Sequence, residues 1–480
     1  TPSRQQMTDL TAAFELMQDA ESLGSIMKFD MAESTLLSIQ QTLNYWRHEQ
    51  FVPEEVENIL PAMELILTLT DKYAALVMNP PYMGSGNMNE TLSNYVKRNY
   101  EEGKADLFST FMLLAIDRLA DKGKYGMINM HSWMFLSSFE KLRRSLLDDH
   151  HIDSLLHLGP RTFDELSGEV VQNAAFVISK TSKAESPQEA NSESAGNELG
   201  VRKERTNSGT YYRLVDGKNC GDKERMFLDG QANHTVKVYY PNVEQGSFEK
   251  IPGCPIGYWV PDEVIALFGN KTIDDYYVTG HGILTGHDEN MIRYWHEIQN
   301  HLFKADFNSA DEMHQTNIIY VPLAKGGNFR RWYGNQTLVI KYDEASIEHM
   351  KRYPKFTLQN EDYYFKEGAS WAFELYAGTL SLRFMPKGSL FSHRGPAVFA
   401  KENSNIYTAI AFLSSKTCGY FLKFLNPTIS CSAGVVKIIP ALNFENVAIN
   451  IVHQNISISK ADWDSHETSW DFEANPLVAL

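Results

Sequence analysis

Cysteine is scarce in this sequence. Four occur in 480 residues, at Cys220, Cys254, Cys418 and Cys431. None forms a Cys-x-x-Cys pair or a zinc-binding spacing, so the four read as free thiols of a reducing compartment. Long uncharged apolar runs are missing too. The best candidate for a membrane span, "DLFSTFMLLAIDRLADKGKYGMI", is broken by Asp117, Arg118, Asp121, Lys122 and Lys124. No secretory leader opens the chain. Positive charge is in deficit, with 60 acidic residues against 44 basic ones and a net charge of -16. That argues against a general polyanion binder and leaves room for a locally basic groove. There is no internal repeat and no nuclease motif of the PD-(D/E)xK kind. The expectation is a cytoplasmic protein with no membrane partner. With 43% hydrophobic and 22% charged residues, the chain has ordinary globular composition and length for roughly two to four domains.

What is present falls into two styles. Residues 8 to about 70 carry apolar residues at three- and four-residue spacing and read as helices. From there strands and helices alternate. "YAALVM" is a short strand, "ADLFSTFMLLAIDRLADKGK" a helix, "YGMINM" a strand, "SSFEKLRRSLLDDH" a helix, and "IDSLLHL" and "GEVVQNAAFVISK" strands. Such alternation implies βα units and an open, mostly parallel sheet. At Thr181 the pattern stops. "TSKAESPQEANSESAGNELGVRKERTNSG" is polar, nearly free of large apolar residues, and reads as a linker. Beyond it come short aromatic or β-branched runs, frequent glycines and few long helical patterns, an α+β style.

The chemistry gathers at "YAALVMNPPYMGSG". An apolar strand runs directly into Asn79-Pro80-Pro81-Tyr82. The prolines remove two backbone donors and stop both helix and central strand. In open α/β sheets, ligands bind at the carboxyl ends of the strands. There the Asn79 side-chain carbonyl and the Pro80 backbone carbonyl offer two rigid acceptors. Two acceptors suit an NH2 group, and accepting both hydrogens leaves its nitrogen lone pair freer to attack an electrophile. Tyr82 can stack on the planar group that carries the amine.

This turn resembles the catalytic motif of amino-methyltransferases that use S-adenosylmethionine. Similar turns serve adenine in DNA, guanine in ribosomal RNA and the glutamine amide of proteins. The later words of the chain choose among these. "GILTGHDENMIRYWHEI", "YVPLAKGGNFRRWYGN", "YYFKEGASW", "LSLRFMPKGSLFSHRG" and "FLNPTISCSAGVVKIIP" follow one another in an order similar to the target-recognition region of the PglX-type adenine-specific DNA methyltransferases of BREX phage-defence systems. "NPPYMGSGNMN" and "FDELSGEVVQNAAFVISK" match that style as well, and the likeness covers residues from about 20 to 445.

The resemblance implies an α/β fold: an incomplete Rossmann-like methyltransferase sheet with helices, plus a C-terminal α+β target-recognition domain. The implied boundaries are 1–70 for a helical lead-in, 71–180 for the catalytic core, 181–209 for the linker and 210–480 for recognition. It also implies S-adenosylmethionine as cofactor, duplex DNA as partner, and other phage-defence proteins as further partners. Asn79, Pro80, Pro81 and Tyr82 would be catalytic, acting on an adenine flipped from the duplex. Phe163 would pack on the flipped base, with Phe176 the alternative if it is not core. Asp106 would stand near the methyl donor, unless it only caps a helix. Lys325, Arg330 and Arg331 lie in an acid-free stretch with Trp332 and Tyr333, and Arg394 in another from Leu375 to Lys401. Both stretches suit phosphate and base-edge contacts. One departure stands out: the glycine-rich donor loop that the family places before the Asn-Pro-Pro-Tyr turn is absent. The chain is therefore expected to be the C-terminal part of a longer enzyme.

Overall fold

The computed structural model describes residues 2–163, 171–181, 208–235, 237–428, 430–442 and 449–478. The chain forms two compact units, Thr1–Trp259 and Val260–Leu480.

The first unit opens with helices Arg4–Met17, Glu33–His48 and Leu60–Thr70. They pack through Ala13, Ile39, Leu43 and Ile66, as the apolar spacing requires. A six-stranded sheet follows. Its strands are β1 (Tyr73–Met78), β2 (Leu119–Met130), β3 (His150–Gly159), β4 (Asn173–Lys180), β5 (Ser208–Arg213) and β6 (Tyr239–Glu244), in the order β1-β2-β4-β3-β5-β6. Helices Leu107–Arg118 and Glu140–Asp149 carry the chain between strands. Phe108, Met112, Trp133, Leu142, Ile152 and Phe176 are among the buried residues of the core.

The sheet corrects the expectation of a mostly parallel arrangement. Only β1–β2 and β3–β5 are parallel, while β2–β4, β3–β4 and β5–β6 are antiparallel. β4 slots between β2 and β3 and runs antiparallel to both. A second difference lies at Leu119–Gly123. Periodicity reads these residues as the end of a helix, yet Leu119 pairs with Tyr73 and the helix stops at Arg118. Sheet pairing overrides a weak local preference here.

The change of style at residue 210 is not where the units divide. β5 and β6 complete the first sheet, and the segment to Trp259 is tied in behind them. The buried Arg143 donates from Nε and Nη2 to Gly253 O at 3.0 and 2.6 Å, and Ile256 N–H donates to Met134 O at 2.9 Å. Most of the polar stretch between Thr181 and Ser208 lies outside the described residues.

β1 forms one edge of the sheet, and no described strand pairs with its outer side. Val77 is 88% exposed although the strand is apolar along its length. An open apolar edge is a ready template for a further strand.

The second unit holds two four-stranded sheets. One orders Leu390–Phe391, Tyr320–Ala324, Leu338–Lys341 and Ile292–Tyr294; the other orders Arg383–Met385, Gly368–Ser370, Ala397–Ala400 and Tyr277–Gly280. Helices Ile406–Leu413, Lys416–Leu425 and Ile449–Asp464 add the α component. The α+β style is as expected. The last of these helices, and Cys220–Asn233 in the first unit, carry no sharp sequence period and went unread. Among the described residues no helix is long and apolar enough to cross a membrane, and Cys254, Cys418 and Cys431 are free thiols.

Candidate active site

The Asn79-Pro80-Pro81-Tyr82 turn leaves the carboxyl end of β1. Pro80 is buried and anchors the turn, while Asn79 is exposed. The Asn79 carboxamide makes no hydrogen bond to any described residue, so its carbonyl is available to a ligand. Just past the turn the chain is fastened by Asp106. Met83 N–H donates to Asp106 Oδ1 at 3.0 Å, Leu107 N–H donates to Met83 O at 3.0 Å, and Ser85 N–H donates to Ala105 O at 3.0 Å. Asp106 also caps the following helix, accepting from Phe108 N–H at 3.2 Å, with Ser109 completing a capping box. Burial raises its pKa above the usual carboxylate range, against the pull of those backbone donors. The carboxylate therefore has a structural task of its own, clamping the exit of the turn to the start of a helix.

Tyr82 is held on two sides. Its ring meets the buried Phe108 edge-on, with centroids 6.1 Å apart at 85°. Its hydroxyl oxygen accepts from Asn173 Nδ2 at 3.1 Å. Burial raises the phenol pKa, so the group stays neutral at physiological pH. Asn173 opens β4 and is almost fully buried, and its Nδ2 also donates to Asn129 O at 3.3 Å. The side-chain carbonyl oxygens of Asn129 and Asn173 are buried without a donor. Such orphaned acceptors are costly and call for an explanation at the site.

Beside them runs a buried polar chain. His131 Nδ1 lies 2.8 Å from His157 Nε2, and His157 Nδ1 lies 3.2 Å from the Tyr258 hydroxyl. Whichever ring donates, the imidazole that accepts in the His131–His157 bond is neutral. Burial lowers the His131 pKa to about 4. Burial and the neighbouring His131 hold His157 well below the usual histidine range. Neither the asparagine pair nor this chain was legible in the sequence. The one available signal was a polar residue, Asn173, beginning an otherwise apolar strand.

The other expected residues separate. Phe176 is core, packed on Tyr125 and Trp133 with centroids at 6.0 and 5.0 Å. Phe163 stands 37% exposed in the loop after β3. In the second unit, Lys325 pairs with Asp288 at 2.5 Å, Arg394 lies 3.7 Å from Glu374, and Arg330 pairs with Asp462. Arg330 also packs over Trp463, 5.0 Å from the ring centroid. Tyr333 is buried and offers no stacking face. Arg331 has no carboxylate within ion-pair distance among the described residues, and its Nη2 donates to Thr379 Oγ1 at 3.3 Å.

Residues 6–163 match the family model of the Eco57I restriction-modification methylases. The adenine-specific methyltransferase BrxX of Escherichia coli O9:H4 (strain HS) is 33% identical over 479 residues, covering 98% of this chain and 36% of that protein. The chain resembles the BREX-type adenine-specific methyltransferases. PglX of Lacticaseibacillus casei (strain Zhang), also an adenine-specific methyltransferase, is 33% identical over 419 residues, which are 85% of this chain and 33% of that one. The chain thus spans about a third of the length of these curated relatives. Among solved structures, the type IIL restriction-modification enzyme MmeI in complex with DNA aligns with a TM-score of 0.51 at 12% identity, over 84% of this chain and 51% of that one. That likeness speaks to the fold alone.

Proposed function

We propose that this chain supplies the acceptor end of an adenine-specific DNA methyltransferase of a BREX-type phage-defence system, with S-adenosylmethionine as donor. The observation that carries the reading is the Asn79–Tyr82 turn at the carboxyl end of β1. It presents a free carboxamide acceptor beside a proline-fixed backbone, with an aromatic ring pinned by Asn173. In this reading Asn79 O and Pro80 O accept the two hydrogens of the adenine N6 amine, Pro81 stiffens the turn, and Tyr82 stacks on the base. Holding the amine this way raises the availability of its lone pair without a titrating base. The adenine must leave the duplex to reach the turn, and Phe163 is the proposed second aromatic against it.

The donor is a different matter. The residues before β1 are helical and contain no strand followed by a glycine-rich loop, and the Asp106 carboxylate is already occupied by backbone donors. No residue here is assigned to the donor, and no step is drawn through it. The bare edge of β1 supports placing the donor-binding strands alongside that edge in the assembled enzyme. The second unit is proposed to contact duplex DNA, with Lys325, Arg330, Arg331 and Arg394 as candidate contacts. The free thiols of Cys254, Cys418 and Cys431 fit a cytoplasmic setting, where other defence proteins would be partners.

Asn79→Ala in the full-length protein tests the reading. Methylation of duplex DNA should be lost while DNA binding persists; wild-type methylation by this variant would refute it. The alternative is a DNA-recognition chain without catalysis. Calorimetric titration with S-adenosylmethionine separates the two, since only the first predicts binding by the enzyme.

A further inference from the structure

The second unit exposes aromatic surface that the sites above leave unused, with Tyr376 the most exposed of its large aromatic side chains. Tyr376-Ala377-Gly378-Thr379 makes a tight turn in which Tyr376 N–H donates to Thr379 O and Thr379 N–H donates to Tyr376 O, both at 3.0 Å. The backbone φ is 48° at Ala377 and 72° at Gly378. Positive φ at both central positions is the type I′ geometry of hairpin tips. Alanine is strained in that region, and such strain persists only where surrounding structure enforces it. No atom lies within 4 Å of where a Gly378 Cβ would stand, so the tip projects into open space.

The tip carries an ordered array. Tyr376 is 61% exposed and leans on Phe329, itself 42% exposed, with ring centroids 4.6 Å apart at 31°. The Arg331 guanidinium lies 5.5 Å from the Phe329 centroid and bonds to Thr379, the last residue of the same turn. A cation, a ring and a second ring are thus tied to one rigid hairpin tip. Among the described residues no carboxylate pairs with Arg331, and its Nε is buried without a partner. The acid nearest the turn in sequence, Glu374, lies 3.7 Å from Arg394.

The array specifies its partner. Flat apolar surface beside an unpaired cation suits a flat apolar group with a negative charge next to it. A nucleotide has both, a base for the Tyr376 face and a phosphate for Arg331. An apolar patch on a protein would cover the rings and leave the guanidinium unmatched. We propose that the Tyr376 turn, backed by Phe329 and Arg331, is a stacking finger that covers the face of an unstacked base in DNA. The inference rests on the DNA-binding reading above and adds to it the residues that touch a base without reading its edge.

Fluorescence anisotropy on the full chain tests this, with a labelled duplex and the same duplex carrying one unpaired base. Tyr376→Ala should weaken binding of the second duplex about five- to one-hundred-fold and of the first much less. Tyr376→Phe should bind like wild type, because the ring and not the hydroxyl is at work. The salt dependence should be unchanged by Tyr376→Ala, since no phosphate contact is lost. Should Tyr376→Ala fold poorly, Tyr376→Trp decides: its added emission should be quenched by the unpaired-base duplex. If wild type binds DNA while Tyr376→Ala binds both duplexes equally well, or the added Trp emission is indifferent to DNA, the finger is refuted and DNA binding stands. If wild type binds neither duplex, the DNA-binding reading fails and the finger falls with it.

Discussion

The candidate groups of the two units are held in different ways. In the first, uncharged groups are buried with partners missing: Asn129 and Asn173 keep bare carbonyl oxygens, and His131 and His157 share a buried hydrogen bond whose accepting ring is neutral. In the second, charged groups sit near the surface and most already have partners. Lys325, Arg330 and Arg394 each face an acid from far along the chain, Asp288, Asp462 and Glu374. The difference teaches how far local composition can be trusted. A stretch without acids is not a free basic patch, because the fold brings acids to it. A contiguous turn such as Asn79–Tyr82 keeps its own geometry whatever surrounds it.

The largest test of this contrast is Asn79→Ala. Removing one of the acceptors that hold the amine should lower the methylation rate by roughly 10²–10³-fold with DNA binding retained. Equal losses of binding and rate would move Asn79 from chemistry to general folding.

Next comes the buried histidine chain, which predicts a pH dependence. His131 titrates at about 4 in the folded state against 6.5 when unfolded. Its pKa is depressed, so between these values the unfolded chain binds the extra proton. Stability is therefore full above pH 6.5 and falls as pH drops towards 4. A difference of 2.5 pKa units gives a loss on the order of 3 kcal/mol from this group. Urea denaturation at pH 7.5 and pH 5 should reveal it, and His131→Phe should flatten the slope. An unchanged slope in that variant would remove His131 as its source.

A smaller effect is expected where Asn173 holds Tyr82. Losing one hydrogen bond of this kind should cost about 0.5–1.5 kcal/mol, or about 2- to 12-fold in rate. The sharper measurement is a double-mutant cycle. If Asn173 acts through the Tyr82 hydroxyl, Tyr82→Phe with Asn173→Leu should be no slower than the worse single variant. Additive losses would show independent roles.

The smallest effect tests the second unit. Asp462→Asn releases Arg330 from its ion pair. Exposed pairs are worth about 0–1 kcal/mol, so DNA affinity should rise by at most about fivefold if Arg330 can reach a phosphate. No rise at low salt would remove Arg330 from the candidate contacts and leave Arg331 as the better one.

The sequence by itself determined the helical lead-in, the apolar strand ending in Asn79-Pro80-Pro81-Tyr82, the helix opened by Asp106 and the α+β style of the later half. Each depends on neighbours within a few residues, through apolar period, capping or the fixed backbone of proline. Tertiary structure alone decided the rest. It turned Leu119 into a strand residue by pairing it with Tyr73, and ran β4 backwards between β2 and β3. It carried the first unit on to Trp259 through β5, β6 and the grip of Arg143. It placed Asn173 under Tyr82 across 91 residues, and brought Asp462 to Arg330 across 132. Hydrogen bonds and ion pairs between distant residues leave no period in the sequence, because their geometry exists only once the sheet is assembled.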